Sequence, residues 1–207
     1  DVFLVGGSVL VNNTVDDTIH IIKEHCTIPV VLFPGHYNQL SNQADALLLL
    51  SLVSGRNPEY LIGQHVEAAT TIKQSGMEVI PTAYLLIDGG RVSTTQYVTQ
   101  TQPIPNDKPD VAAATALAGE LLGMQLVYLE AGSGALHPVP PSLIQAVKKS
   151  ISVPLVVGGG LRNADAVKNA LYAGADMVVV GNVLEQNPSL LQEFAHTVKA
   201  FNLQHRL

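Results

Sequence analysis

The sequence is poor in several residue types, and each shortage excludes a class of protein. A single cysteine, Cys26, excludes a disulfide framework and a zinc site built from cysteines, and predicts a reducing, cytoplasmic location. Lysine and arginine number 11 against 17 acidic residues and form no cluster, which argues against nucleic acid as a partner. The longest apolar run, residues 46–53, is far shorter than the ~20 residues of a membrane-spanning helix.

What the sequence does contain is a series of short, nearly continuous apolar runs bounded by glycine, proline or serine. Continuous hydrophobicity of this kind is typical of strands that are buried on both faces. Stretches with helical character lie between the runs, and Asn163 has the position of a helix N-cap. The predicted strands are 2–5, 29–33, 46–53, 79–87, 126–129, 154–157 and 177–180, and the predicted helices are 14–25, 58–75, 109–122, 141–149, 163–173 and 188–201.

Strands that alternate with helices at this spacing predict a parallel α/β protein, and seven strands favour a (β/α)8 TIM barrel. We expect one barrel domain over residues 1–207, a size that usually makes a single domain. An eight-stranded barrel needs one strand more, and that strand is expected before Asp1. The sequence is therefore interpreted as strands two to eight of the barrel.

Glycines follow several of the predicted strands, and the last two groups are the most informative. Gly159 and Gly160 follow the seventh barrel strand, and Gly181 with Asn182 follows the eighth. TIM barrels commonly hold phosphate at this position, where main-chain N–H groups converge on an anion. Tight turns between strand and helix are the alternative explanation, and two adjacent groups favour phosphate.

Another strand ends in Tyr128, Leu129 and Glu130. Alternation along a strand sends Tyr128 and Glu130 to one face and Leu129 to the other. A carboxylate at the end of a buried strand needs a partner, so Glu130 is a candidate to accept a hydroxyl proton or to bind a polyol. A structural role as a cap for the next helix is the alternative.

Short motifs spread over the sequence have a joint resemblance to one family. They are Gly6-Gly7-Ser8, Pro29-Val-Val-Leu-Phe-Pro-Gly35, Ser54-Gly-Arg-Asn-Pro58, Ile62-Gly-Gln-His65, Pro81-Thr82, Thr101-Gln-Pro-Ile-Pro105, Tyr128-Leu-Glu-Ala-Gly-Ser-Gly134, Val156-Val-Gly-Gly-Gly160 and Val180-Gly-Asn182. Together they resemble the geranylgeranylglyceryl phosphate synthase family, the PcrB-like prenyltransferases. The resemblance covers essentially the whole sequence, and its most specific part is the motif that begins at Tyr128. The motifs that begin at Ser54 and Thr101 resemble the branch that includes archaeal and Bacteroidetes members, which implies a C20 donor.

The resemblance implies transfer of a geranylgeranyl group from its diphosphate to the 3-hydroxyl of sn-glycerol 1-phosphate, in a step that needs Mg²⁺. It implies that Glu130 assists deprotonation of the hydroxyl, that Tyr128 orients it, and that Ser8 binds the metal together with an Asp that no residue of this sequence matches. The glycerol phosphate site would consist of Tyr128, Leu129, Glu130, Ala131, Gly132, Ser133, Gly134, Gly159, Gly160, Gly181 and Asn182.

The prenyl tail needs an apolar groove, for which Tyr60, Leu61, Tyr84 and Leu85 are candidate walls, although each is also an ordinary core residue. The low charge and abundant apolar side chains predict a homo-oligomer. The lipid product would bring the protein into contact with a membrane surface. Two alternatives stay open: a barrel isomerase or lyase acting on a phosphorylated sugar or on indole-glycerol phosphate, for which Asp88 is the available partner of Glu130, and a non-catalytic phosphate-binding scaffold.

Overall fold

The computed structural model of the chain describes residues 3–5, 30–32 and 44–205. Its internal contacts divide it into two compact units. The first consists of Asp1–Ser51 and Pro58–Thr82, and the second of Leu52–Asn57 and Ala83–Leu207.

The first unit contains parallel strands paired in chain order. They are β1 (Phe3–Val5), β2 (Val30–Leu32) and β3 (Ala46–Leu52), with Phe3 opposite Val30 and Val31 opposite Ala46. A π-helical turn, Glu59–Gly63, leads into helix α1 (Gln64–Ser75). Strand β4 (Glu78–Leu86) starts in this unit, and its second half belongs to the other.

The second unit continues the alternation and holds most of the core. After β4 come α2 (Thr94–Thr99), α3 (Pro109–Leu121), β5 (Leu126–Glu130), α4 (Pro141–Ser150), β6 (Leu155–Gly158), α5 (Ala164–Tyr172), β7 (Met177–Val179), α6 (Asn182–Gln186) and α7 (Leu190–His205). Strands β5, β6 and β7 are parallel neighbours, with Tyr128 opposite Val156 and Val156 opposite Met177. Their carboxyl ends therefore lie at one edge of the sheet.

The faces of β5 and β6 explain where the site can form. Val127, Leu129, Leu155 and Val157 are fully buried in a cluster with apolar side chains of the helices, such as Val147 of α4. Since side chains alternate along a strand, Tyr128, Glu130 and Gly158 belong to the opposite face. The predicted placement of Tyr128 and Glu130 on one side, away from Leu129, is confirmed.

All seven predicted strands are present, within two residues of their predicted ends. Parallel strands that pair in chain order and alternate with helices are the repeating unit of a TIM barrel, so the predicted fold class is confirmed. Asn163 caps α5, because its Oδ1 accepts a hydrogen bond from the Ala166 N–H at 2.9 Å. The predicted helix 14–25 lies outside the described residues, and both the strand before Asp1 and the single domain stay predictions.

Two helices were not predicted, α2 and α6. Helix α2 has a sequence rich in β-branched residues, Thr-Thr-Gln-Tyr-Val-Thr, which is a poor helix former. It is helical because its N-terminus is capped: the Ser93 Oγ accepts a hydrogen bond from the Gln96 N–H at 3.1 Å. Local capping therefore outweighs intrinsic propensity at α2.

Candidate active site

Glu130 ends strand β5 and is held by two hydrogen bonds. The Gly132 N–H donates to its Oε1 at 2.8 Å, and the hydroxyl of Tyr128 is bonded to its carboxylate. Tyr128 is 1% exposed, whereas Glu130 keeps partial access to solvent. The carboxylate is thus fixed by its own strand and by the loop that follows, while the residue as a whole is only half-buried.

The environment of Glu130 changes its acidity. Burial raises the pKa of this carboxyl group above the usual 4.5, and the hydrogen bonds from Tyr128 and Gly132 offset part of that rise by favouring the charged form. Burial and the nearby Glu130 also raise the pKa values of Tyr84 and Tyr128, which stay protonated. A carboxylate with a raised pKa is a better proton acceptor than a solvated one, so Glu130 suits the role of a general base.

The end of β6 comes close to this carboxylate, and only glycine fits there. A Cβ atom on Gly158 would lie 2.6 Å from Glu130 Oε2 and 2.7 Å from the Tyr128 hydroxyl oxygen. One on Gly159 would lie 2.7 Å from Glu130 Oε1 and 2.8 Å from the main-chain nitrogens of Ala131 and Gly132. The glycines at the end of β6 therefore make room for the Glu130 side chain.

The loop after β5 is fastened to the start of α6. The Asn182 Oδ1 accepts hydrogen bonds from the Ser133 Oγ at 2.9 Å and from the Gly134 N–H at 3.2 Å. Gly132 and Gly134 both have positive φ, 98° and 72°, a conformation that residues with a Cβ atom rarely adopt. The predicted residues from the ends of β5 and β7 are thus brought into direct contact.

The two glycines that follow β6 are candidates to donate main-chain hydrogen bonds to an anion. Within the described ranges, neither Gly159 nor Gly160 donates to a main-chain carbonyl oxygen. Both have positive φ, 81° and 71°. Consecutive main-chain N–H groups in loops of this kind can bind phosphate.

The residues after β4 are joined by main-chain hydrogen bonds to the end of β5 and to the loop that follows it. The Ile87 N–H donates to the Glu130 carbonyl oxygen at 2.9 Å. The carbonyl oxygen of Gly89 accepts from the N–H groups of Leu136 and His137, at 2.9 and 3.1 Å. These hydrogen bonds were not predicted, although this region contains predicted site residues.

Several predicted site residues have other surroundings. The side chains of Leu129 and Ala131 lie in the core cluster, so a role in binding would fall to their main chains. Leu85 is also fully buried in that cluster, whereas Tyr60 and Leu61 belong to the first unit. Ser8 lies outside the described residues, as do Gly6 and Gly7.

The described residues do not form a metal site by themselves. Among residues 3–5, 30–32 and 44–205, no three histidine, cysteine, aspartate or glutamate side chains are grouped so that they could hold an ion. The predicted magnesium ligand, Ser8, is not among these residues.

Comparisons with known proteins show what this chain is similar to. A geranylgeranylglyceryl phosphate synthase of Spirosoma linguale is 52% identical over 202 residues, 98% of this chain and 81% of that protein. One of Thermococcus gammatolerans is 47% identical over 92% of this chain and 75% of that protein. The crystal structure of (S)-3-O-geranylgeranylglyceryl phosphate synthase from Thermoplasma acidophilum, in complex with its substrate sn-glycerol-1-phosphate, superimposes with a TM-score of 0.88 at 35% identity, over 97% of this chain and 81% of that one.

The family assignment covers nearly the whole chain. Residues 1–200 match the PcrB family, and the resemblance seen in the sequence motifs is confirmed. The Tyr128–Gly134 segment, the glycines at the end of β6 and the Asn182 contact lie in this matched region. The chain belongs to the PcrB family.

Proposed function

We propose that this protein is a geranylgeranylglyceryl phosphate synthase, which joins a geranylgeranyl group to the 3-hydroxyl of sn-glycerol 1-phosphate. The observation that carries the proposal is the close approach of Gly159 to the Glu130 carboxylate, because Gly159 and Gly160 are candidates to bind an anion through their amides. A hydroxyl-bearing phosphate ester can place its hydroxyl at the carboxylate and its phosphate at the amides. The Spirosoma and Thermococcus relatives have this name, and the Thermoplasma structure contains sn-glycerol-1-phosphate.

The residues present account for the acceptor half of the reaction. Glu130 accepts the proton of the glycerol 3-hydroxyl while that oxygen forms a bond to the prenyl carbon, and the carbon–oxygen bond to the diphosphate breaks with its electron pair leaving on diphosphate. Tyr128 donates a hydrogen bond to Glu130 and fixes its orientation. The raised pKa of Glu130 favours its accepting the proton.

The donor half involves a diphosphate leaving group with several negative charges. A bound Mg²⁺ ion would neutralise such charge. We propose that the reaction requires Mg²⁺, with Ser8 as the ligand implied by the family resemblance. Loss of prenyl transfer in EDTA, with recovery on addition of Mg²⁺, is the expected result.

The proposal extends to the surroundings of the enzyme. Geranylgeranyl diphosphate is the donor, the assembly is a homo-oligomer, and the location is the cytoplasm with contact to a membrane surface through the lipid product. None of the helices in the described part of the chain has the length and apolar character needed to cross a membrane. Exposed apolar residues such as Leu121 and Leu122, 79% and 73% exposed, support an oligomer.

The test measures formation of the ether product from labelled sn-glycerol 1-phosphate and geranylgeranyl diphosphate. Glu130→Gln keeps the size of the side chain but removes the base, and should lower kcat by about 10²- to 10⁴-fold. Glu193→Gln, on the exposed side of α7, is the matched control and should leave kcat unchanged. Turnover of a phosphorylated sugar without ether formation by the wild-type protein would contradict the proposal.

A further inference from the structure

Tyr84 lies on β4, beside the two residues that carry the proposed chemistry. Its ring meets that of Tyr128 edge to face, with centroids 5.4 Å apart and planes at 73°. This geometry is a favourable one for aromatic pairs. The ring of Tyr128, whose hydroxyl holds Glu130, therefore rests against the ring of Tyr84.

Helix α2 lies next to the hydroxyl of Tyr84. The side chain of Thr95 is near enough to that hydroxyl to interact with it. The N-cap of this helix is packed against the loop after β5, since a Cβ atom on Gly132 would lie 2.7 Å from the Ser93 Cβ. The helix beside Tyr84 thus also packs on the loop that donates to Glu130.

A core residue or a wall of an apolar groove would need only the ring of Tyr84. The hydroxyl also lies near Thr95, and burial together with the charge of Glu130 raises the pKa of Tyr84. Its dipole therefore lies within reach of the carboxylate that Tyr128 binds. The contacts run in sequence from Thr95 to Tyr84, Tyr128 and Glu130.

We infer that Tyr84 is a positioning residue, which, beside Thr95, holds the Tyr128 ring at the angle from which its hydroxyl binds Glu130. The inference rests on the proposed function, because it assigns Tyr84 to the glycerol phosphate site. No contact between Tyr84 and the acceptor is required. Tyr84 instead affects acceptor binding through Tyr128.

The test compares Tyr84→Phe and Thr95→Val, each of which removes one of the two neighbouring hydroxyl groups. Both variants should weaken binding of sn-glycerol 1-phosphate, measured by titration calorimetry, by about three- to tenfold. The KM for geranylgeranyl diphosphate should not change. Thr95→Ser keeps the hydroxyl and should restore binding to the wild-type value.

The decisive measurement repeats Tyr84→Phe in a Tyr128→Phe background. If Tyr84 acts through the Tyr128 hydroxyl, Tyr84→Phe causes no further loss of affinity once that hydroxyl is absent. The double variant then binds the acceptor as weakly as Tyr128→Phe alone. A further full loss in the double variant would overturn the inference, as would a change confined to the KM for the prenyl donor. Because calorimetry needs no turnover, these results are separate from a failure of the wild-type protein to form the ether.

Discussion

The close approach of β6 to Glu130 makes Gly159 the most informative single position. Gly159→Ala introduces one methyl group where the backbone has φ of 81°. That methyl carbon would lie 2.7 Å from Glu130 Oε1 and 2.8 Å from the nitrogens of Ala131 and Gly132, whereas ordinary contact begins at 3.4 Å. The loop after β5 must therefore move by about 0.6 Å or more, because two of the three atoms belong to the main chain.

Two effects of the substitution can be separated by magnitude. The left-handed backbone conformation costs about 1–2 kcal/mol for a residue with a Cβ atom, which corresponds to a decrease in Tm of about 2–8 °C for a chain of this length. The displacement of Glu130 acts on the site instead. A shift approaching 1 Å at a reacting group lowers kcat/KM by about 10- to 100-fold.

Gly123→Ala is the matched control. Gly123 also has positive φ, 93°, and among the described residues a Cβ atom there would meet no heavy atom within 4 Å. Both variants should lose a similar amount of thermal stability in a melting experiment, and only Gly159→Ala should lose activity with sn-glycerol 1-phosphate. Equal, unimpaired kinetics in the two variants would refute the reasoning that the contact between Gly159 and Glu130 shapes the site.

Two further predictions concern charge. Because burial raises the pKa of Glu130, kcat/KM should decrease toward acid with a midpoint above pH 4.5. Tyr128→Phe should move this midpoint to still higher pH, since the lost hydrogen bond lowers the pKa in the wild-type protein. An acidic midpoint at or below pH 4.5 in the pH–rate profile would contradict this prediction. Asn182→Asp keeps the oxygen that accepts from Ser133 and Gly134 but adds a negative charge near the proposed phosphate site. It should leave Tm nearly unchanged and weaken acceptor binding by about tenfold or more. Asn182→Ser is the uncharged control, and an unchanged affinity of Asn182→Asp in calorimetry would contradict the prediction.

The strands were predictable because their signal is local. In β5 and β6 nearly every residue is buried, so hydrophobicity runs without interruption and stops at the glycines and Glu130 that follow. The same alternation rule placed Tyr128 and Glu130 on one face. The prediction of a site at the carboxyl ends of the last strands followed from the fold class.

The contribution of β4 and α2 was not predictable in this way, because it depends on contacts between distant residues. Nothing in the sequence near Tyr84 indicates that its ring meets Tyr128, which is 44 positions later. Helix α2 contains residues that favour strands, and the close approach of Gly132 to its N-cap, Ser93, joins residues that are distant in the sequence. Sequence patterns specify which faces are buried, but they do not specify which side chains meet.

A single spatial requirement connects the charge and the glycines of this site. Glu130 needs space beside β6, and Gly158 and Gly159 provide it by lacking side chains. Gly159 thus lies against the carboxylate, and its amide and that of Gly160, which donate to no main-chain carbonyl oxygen among the described residues, are candidates to bind an anion. A ligand that is anionic throughout would be repelled by the carboxylate. A ligand with a hydroxyl at one end and phosphate at the other satisfies both, and the geometry then orients its hydroxyl, not its phosphate, toward the base.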